Sequence, residues 1–215
     1  MDWFQIVTNI SVVVALWSAI YGIDSWRREH TGRRQIELAE ETLALFYEAT
    51  DIVRYIRHPV GTSNDYIGIE RASNETEKQF EARKSASVVF SRYNENKEIF
   101  NRIRALRYRF MAQIGKDEAK PFDELHAVIT QIHSAARMLA RLWSRDHFTT
   151  DAEWKSHYGR VDKYETIFWD TFEEDDPINS KLTSLIGEIE KNCNSVISGS
   201  GSIYAVLNRK IRRNG

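Results

Sequence analysis

The chain has 215 residues, a net charge of −1 at pH 7 with histidine neutral, and a single cysteine. This charge lacks the basic excess that nucleic-acid binding requires, so general nucleic-acid binding is excluded. One cysteine cannot form an intrachain disulfide, which fits a reducing compartment. Hydrophobic residues make up 42% of the chain, and only 3 prolines and 10 glycines interrupt it, so long helices are expected.

The first predicted element is the uncharged run from Trp3 to Ile23. A helix rises about 1.5 Å per residue and a bilayer core is about 30 Å thick, so roughly 20 residues are long enough to span it. Trp3 and Trp26 lie at its two ends, where aromatic rings favour the membrane interface. A cleaved signal peptide would need a basic start, which the run lacks. We therefore expect a single N-terminal transmembrane helix.

A basic group follows this run and predicts its orientation. Its members are Arg27, Arg28, Arg33 and Arg34. Because basic flanks stay on the cytoplasmic side, we expect an outside N-terminus and a cytoplasmic body at the plasma (inner) membrane. These four arginines are then expected to contact the membrane surface.

Small residues recur every four positions within the same run, at Ser11, Ala15 and Ala19. A face of small side chains lets two helices approach closely in lipid. The spacing therefore predicts self-association of the anchor through this face.

The remainder of the chain predicts an all-α fold, in which the anchor is followed by an antiparallel cytoplasmic bundle of four to five helices. The predicted domains are an anchor with its basic flank over 1–33, the bundle over 34–197, and a flexible linker with a basic tail over 198–215. A first helix is expected over about 34–58. A second is expected from a capping box at Asn74 and Glu77 to Gly115, with a break near 94–96.

The third predicted helix, which has Pro121 in its first turn, has the clearest pattern. Its apolar residues alternate steps of three and four, as in coiled-coil packing. They are Phe122, Leu125, Ile129, Ile132, Ala136, Leu139 and Trp143. Thr150 and Glu153 form a capping box for a fourth helix, and Asp176 before Pro177 predicts the start of a fifth.

An arginine cluster lies within eight positions of the second predicted helix. It consists of Arg102, Arg104, Arg107 and Arg109. Forked guanidinium donors suit a phosphorylated ligand or an anionic lipid headgroup. The simpler interpretation is ion pairing with acidic residues of the first helix, namely Glu37, Glu40, Glu41, Glu48 and Asp51. Two or more of these arginines converging unpaired on a cavity would favour the ligand.

No catalytic residue, metal or cofactor is predicted. The usual phosphate-loop, zinc-protease and nucleophile-elbow motifs are absent from the sequence. His126 and His133 flank the pattern of the third helix and lack a partner motif on another helix. Glu153 and His157 are a turn apart, and a helix cap with a local hydrogen bond explains them more simply than zinc or acid–base chemistry.

The tail carries four basic residues, Arg209, Lys210, Arg212 and Arg213. On an amphipathic helix they would contact an anionic membrane surface, and a disordered end is the equal alternative.

The function that we expect is a membrane-anchored, non-enzymatic interaction, scaffold or sensor module. It would meet a protein partner at the cytoplasmic face, with homo-oligomerisation as one form. One alternative is a bundle that binds or hydrolyses a phosphorylated ligand, or binds a lipid headgroup, through the arginine cluster. Another is an accessory subunit of a larger membrane complex.

Overall fold

The computed structural model describes residues 3–146, 148–173 and 175–199, and the side chains of 4–10 lie outside the description. Its helices are α1 (Trp3–Arg57), α2 (Glu77–Glu95), α3 (Lys97–Gln113), α4 (Lys120–Leu142), α5 (Asp151–Phe168) and α6 (Pro177–Gly199). Two short 3-10 turns, Ser63–Tyr66 and Asp117–Ala119, complete the regular structure of these residues, which contain no strand. The prediction of an all-α helical bundle is confirmed.

The predicted transmembrane helix is wrong. Within the described ranges, every helix falls short of the combined length and apolarity that crossing a bilayer requires. The run Trp3–Ile23 is helical, as the first part of α1. An uncharged run is not always an apolar one, however, and the amides of Gln5 and Asn9 and the hydroxyl of Thr8 lower its mean hydropathy. The predicted single-pass localisation depended on that helix and is wrong as well.

The chain divides into two compact units. The larger unit is Thr42–Asn192, and the smaller unit is Met1–Glu41 with Cys193–Gly215, so α1 and α6 each contribute to both. In the smaller unit, the side chains of 11–31 are all exposed, whereas Leu38 and Ala39 are buried.

The core of the larger unit contains the predicted pattern of the third helix, now α4. Six of its members are buried, namely Phe122, Leu125, Ile129, Ile132, Ala136 and Leu139. Phe46 of α1 and Phe110 of α3 pack on Phe122, with ring centroids 4.8 and 5.1 Å away. Trp143 is half-buried just beyond α4, and its indole Nε1 donates to Glu165 at 2.6 Å. The alternating spacing therefore predicted the buried face of this helix correctly.

The second predicted helix begins three residues later than expected and is broken. Thr76 caps α2, because its Oγ1 accepts a hydrogen bond from the backbone N–H of Gln79 at 3.2 Å. The capping box is thus Thr76 with Gln79 and not Asn74 with Glu77. The predicted break occurs at Asn96, which separates α2 from α3 and whose Nδ2 donates to the carbonyl of Arg92.

Two further predicted helix starts are observed. Thr150 and Glu153 form a capping box at the start of α5. Asp176 precedes α6, and its Oδ1 accepts from the backbone N–H groups of Ile178 and Asn179, both at 2.9 Å. A side-chain acceptor at each start satisfies backbone donors that a helix leaves without partners. α6 extends to Gly199, and the basic tail beyond it lies outside the described residues.

Candidate anion-binding site

A cavity of about 230 Å³ lies beside α3 and α4 in the larger unit, and we call it the arginine cavity. Its apolar and aromatic walls are Tyr93, Phe100, Ile103, Tyr108, Phe122, Leu125 and Ile129. Its charged and polar groups are Arg104, Arg107, Asp123 and His126. Mostly apolar walls with a few polar groups are typical of sites for small molecules.

The two arginines reach this cavity because of their register on α3. Ile103 and Leu106 belong to the buried face of α3. Arg104 and Arg107 each follow one of these residues directly and are three positions apart, so they lie on one side of the helix, at the edge of the buried face. The helix therefore places two cations next to apolar walls.

Arg107 is half-buried and incompletely paired. Its Nη2 donates to Asp123 Oδ2 at 2.8 Å, and Asp123 belongs to α4 and not to the acidic first helix. Its Nε is buried and has no hydrogen-bond acceptor among the described residues. The guanidinium carbon lies 5.8 Å from the ring centroid of Tyr108. A buried donor without an acceptor is costly, so this guanidinium retains capacity for an anion.

Arg104 lines the same cavity and is exposed. In the described part of the chain its side chain forms no hydrogen bond or ion pair. Two members of the predicted arginine cluster therefore converge on one cavity, and only one of them is paired there.

The other two members of the cluster do not line this cavity. Arg102 and Arg109 are exposed on α3, and each makes a contact of its own. The predicted set of four is thus divided, since a helix turns about 100° per residue and cannot present all four on one side.

The histidines differ in their surroundings. His126 lines the arginine cavity. His133 packs against the rings of Phe90 and Tyr93, with centroids 5.0 and 4.7 Å away. Burial, and then the charge of Arg137, lower the pKa of His133. His133 is therefore a half-buried packing residue, and its lowered pKa favours the neutral imidazole.

Other candidate ligands of a metal are engaged in capping and packing. Hydrogen bonds from Thr149, followed by that of Thr150, lower the pKa of Glu153. The ring of His157 lies 5.1 Å from that of Phe148. Over the described ranges, no group of three or more His, Cys, Asp or Glu side chains is arranged to hold a metal ion.

Sequence reasoning missed two buried ion pairs, of which the first joins Arg57 to Asp176. Both side chains are fully buried, and Nη1 and Nη2 donate to the two carboxylate oxygens at 2.9 and 2.8 Å. Arg57 also donates to the carbonyls of Thr166, Ile167 and Trp169 at the end of α5. Burial works to raise the pKa of Asp176, but hydrogen bonds from Arg57, Asn179 and Thr171 outweigh it and lower the pKa to about 2.

The second buried pair joins Arg92 of α2 to Asp65. The guanidinium Nε and Nη2 donate to the two carboxylate oxygens at 3.0 and 2.9 Å. The same guanidinium donates to carbonyls at and beyond the end of α1, those of Tyr55, Ile56, His58 and Val60. Each buried arginine thus satisfies a helix end that would otherwise hold carbonyls without donors.

The remaining predicted site residues that the structure describes lie on α1. Ser11, Ala15 and Ala19 are exposed on its first part. The four arginines of the basic group are exposed further along, where Arg28 pairs with Asp24 at 3.0 Å and Arg33 with Glu37 at 3.8 Å. A membrane-surface role for the basic group, and for the four basic residues of the tail, stays a prediction.

Comparison of this chain with protein-family models, with curated proteins and with solved structures returned no match.

Proposed function

We propose that this protein is a helical-bundle binding protein for a small phosphorylated ligand, which it holds in the arginine cavity through Arg104 and Arg107. The observation that carries the proposal is the incomplete pairing of these two cations beside one apolar cavity. Guanidinium groups match the geometry of phosphate oxygens and remain charged at any physiological pH.

The walls indicate what the phosphate is attached to. Tyr93 and Phe100 stack with ring centroids 5.0 Å apart, and Tyr108 and Phe122 also line the cavity. Aromatic walls favour a ligand with an aromatic or apolar part, which gains affinity by leaving water. A ligand that combines a phosphate with an aromatic group is therefore expected to bind more tightly than inorganic phosphate.

Asp123 is expected to weaken anion binding at this site. Its carboxylate accepts a hydrogen bond from Arg107, so it competes with an incoming anion for the same donors. Its negative charge also repels that anion. Replacing Asp123 with asparagine is therefore expected to increase the affinity for a phosphorylated ligand.

The test measures binding of phenyl phosphate to the full chain by isothermal titration calorimetry. We expect Arg104→Gln and Arg107→Gln each to weaken binding about 10-fold or more, since a charged hydrogen bond contributes roughly 1.5–3 kcal/mol. Asp123→Asn should tighten binding. The Arg107–Asp123 pair lies at the surface, so its loss should cost no more than about 1 kcal/mol of folding free energy, and the variants should fold.

Arg109→Gln is the matched control, because it removes an equal charge from the same helix outside the cavity. It should leave the affinity unchanged. Equal weakening in Arg104→Gln and Arg109→Gln would show only a general effect of charge and would refute the site. Failure of the wild-type protein to bind phenyl phosphate more tightly than inorganic phosphate would refute the role of the aromatic walls.

We also propose a second function, association with another copy of this chain through residues 11–31 of α1, which we call the exposed segment. Its apolar side chains are open to solvent on all sides of the helix, as at Val13, Trp17 and Ile20. Continuous exposed apolar surface marks an interaction site in many proteins. From Trp3 to Ile23 no charge would repel an identical copy, and Ala15 and Ala19 permit close approach.

A further inference from the structure

A second cavity of about 570 Å³ lies in the larger unit, and it does not depend on the arginine cavity. It is formed by the last turn of α1, the connection from α5 to α6, and the first turn of α6. Its lining includes His58, Asp170, Phe172, Glu173 and Asn179. Its volume is within the usual range for small-molecule sites, about 300–1,000 Å³.

Asp170 is a buried polar residue of this cavity. It is only 6% exposed, and its carboxylate has no cationic partner among the described residues. Its Oδ1 accepts from the backbone N–H of Phe172 at 3.0 Å and from Nδ2 of Asn179 at 2.9 Å. Its Oδ2 accepts no hydrogen bond from the described residues. A buried carboxylate normally acquires a cation or further donors, so Asp170 retains an open position for one.

The groups around Asp170 are suited to a positive charge. The Nδ2 of Asn179 donates a hydrogen bond to Asp170. The Oδ1 of Asn179 is buried and has no hydrogen-bond donor among the described residues. Glu173 adds a second carboxylate. The ring of Phe172, which is 68% exposed, meets the ring of His58 edge to face at 5.8 Å, so aromatic surface borders the acidic groups. Arg54 also lines the cavity, but Asp51 at 3.4 Å partly offsets its charge.

We propose that this cavity binds a small organic ammonium ligand, whose charged nitrogen donates to Asp170 Oδ2 and lies beside Glu173 and the Phe172 ring. Aromatic faces attract organic cations, whereas a metal ion would need several oxygen ligands directed at one point. The fixed hydrogen bonds of Oδ1 orient the carboxylate before the ligand arrives, which lowers the cost of binding.

The experiment measures binding of benzylammonium chloride to the full chain by saturation-transfer NMR titration, with benzyl alcohol as the neutral comparison. We expect the ammonium compound to bind at least about tenfold more tightly than the alcohol. Asp170→Asn keeps an oxygen for Phe172 and Asn179 but removes the charge, and it should abolish this tenfold preference. Phe172→Asn removes the ring and is tolerated at the positive φ of 57° that Phe172 adopts, so it should weaken binding of benzylammonium while the chain folds.

Asp162→Asn is the matched control, since Asp162 is an exposed acid of α5 outside the cavity. It should leave the preference intact, as should Arg104→Gln, so this test is independent of the arginine cavity. Equal affinity for benzylammonium and benzyl alcohol in the wild-type protein would overturn the proposal. If Asp170→Asn fails to fold, Glu173→Gln is the second test, because Glu173 is exposed and its replacement should leave folding unchanged. An unchanged preference for benzylammonium over benzyl alcohol in Glu173→Gln would also overturn the proposal. Displacement of benzylammonium by an equal concentration of magnesium chloride would indicate a metal-ion site instead.

Discussion

Two arginines, Arg57 and Arg92, connect helix ends that are far apart in the sequence. Each places a fork of donors between a buried aspartate and a set of backbone carbonyls. A lysine carries a single ammonium group and cannot donate to a carboxylate and to several carbonyls in this fixed fork. The interior of the bundle therefore depends on residue identity at these two positions and not on charge alone.

Removing the charge of Asp176 is expected to destabilise the folded chain. Asp176→Asn keeps an acceptor for the start of α6 but leaves the Arg57 charge buried without a counter-ion. Breaking a buried pair in this way costs about 3–5 kcal/mol, so the free energy of unfolding in urea should fall by that amount. Asp162→Asn, on the exposed side of α5, should change it by less than about 0.5 kcal/mol. A change of similar size in both variants would contradict the importance of the pair.

The same pair predicts a dependence on pH. The pKa of Asp176 is about 2 in the folded chain, below its ordinary value of 3.8, so the folded state binds this proton more weakly than the unfolded state. The stabilisation is complete above about pH 4 and is lost as the pH falls toward about 2, by on the order of 2 kcal/mol. The difference in unfolding free energy between the wild-type protein and Asp176→Asn should therefore shrink over this interval. A constant difference would show that Asp176 does not titrate in this way.

The thiol of Cys193 is expected to react slowly in the native chain. It is fully buried, and burial raises the pKa of its thiol to about 12. Because the thiolate is the reactive species, an aromatic disulfide reagent at about pH 8 should modify the native chain at least about tenfold more slowly than the chain in guanidinium chloride. Equal rates in the two conditions would show that the thiol is accessible in the native state.

The helices were predictable mainly from the spacing of apolar residues and from capping residues. The buried face of α4 and the starts of α5 and α6 follow directly from local sequence. The break at Asn96 was also predictable, since polar residues interrupt the apolar pattern there. These features depend on residues within about one or two turns of each other, which a sequence displays without a structure.

Contacts between distant residues were not predictable in this way. Arg57 and Asp176 are 119 positions apart, and nothing near either of them indicates that the two will pair. From the sequence, Arg57 is interpreted as an ordinary basic residue at a helix C-terminus, and Asp176 is interpreted only as a helix cap. The arginine cluster was identified, but its division into two cavity residues and two others depends on the packing of α3 against α4.

The error at the start of α1 has a different cause. The prediction depended on the length of Trp3–Ile23, its lack of charge and the aromatic residues at its ends, although the run also contains amides and hydroxyls. Desolvating such groups is costly even though they carry no charge, so length without charge did not establish a transmembrane helix. The tryptophan and tyrosine side chains also add a polar N–H or O–H group to a run that is otherwise mostly apolar.

At the scale of the whole molecule, the chain combines a larger unit with two cavities and an exposed segment of helix in the smaller unit. The two proposed ligands have opposite charges, since one cavity is lined by Arg104 and Arg107 and the other by Asp170 and Glu173. The two proposals together predict that neither ligand competes for the site of the other. The exposed segment is proposed to contact a different kind of partner, another copy of the same helix, because its surface is apolar.

Self-association through the exposed segment can be tested by one added side chain. Ala15 belongs to the small-residue face with Ser11 and Ala19, so Ala15→Leu should obstruct close packing of two copies along this face. Overpacking costs about 1–3 kcal/mol, and the dimer dissociation constant from sedimentation velocity should rise about tenfold or more. Because Ala15 is exposed, the substitution should leave the folding of each chain unchanged.

Val13→Leu is the matched control, since it enlarges a residue two positions away, about 200° around the same helix. Weaker association in Ala15→Leu alone would place the contact on the small-residue face. An equal loss in both variants would place it elsewhere on the segment, and a wild-type chain that stays monomeric at every concentration would refute self-association. The reason for expecting the first result is geometric, because only the face with small side chains allows two helix backbones to approach closely.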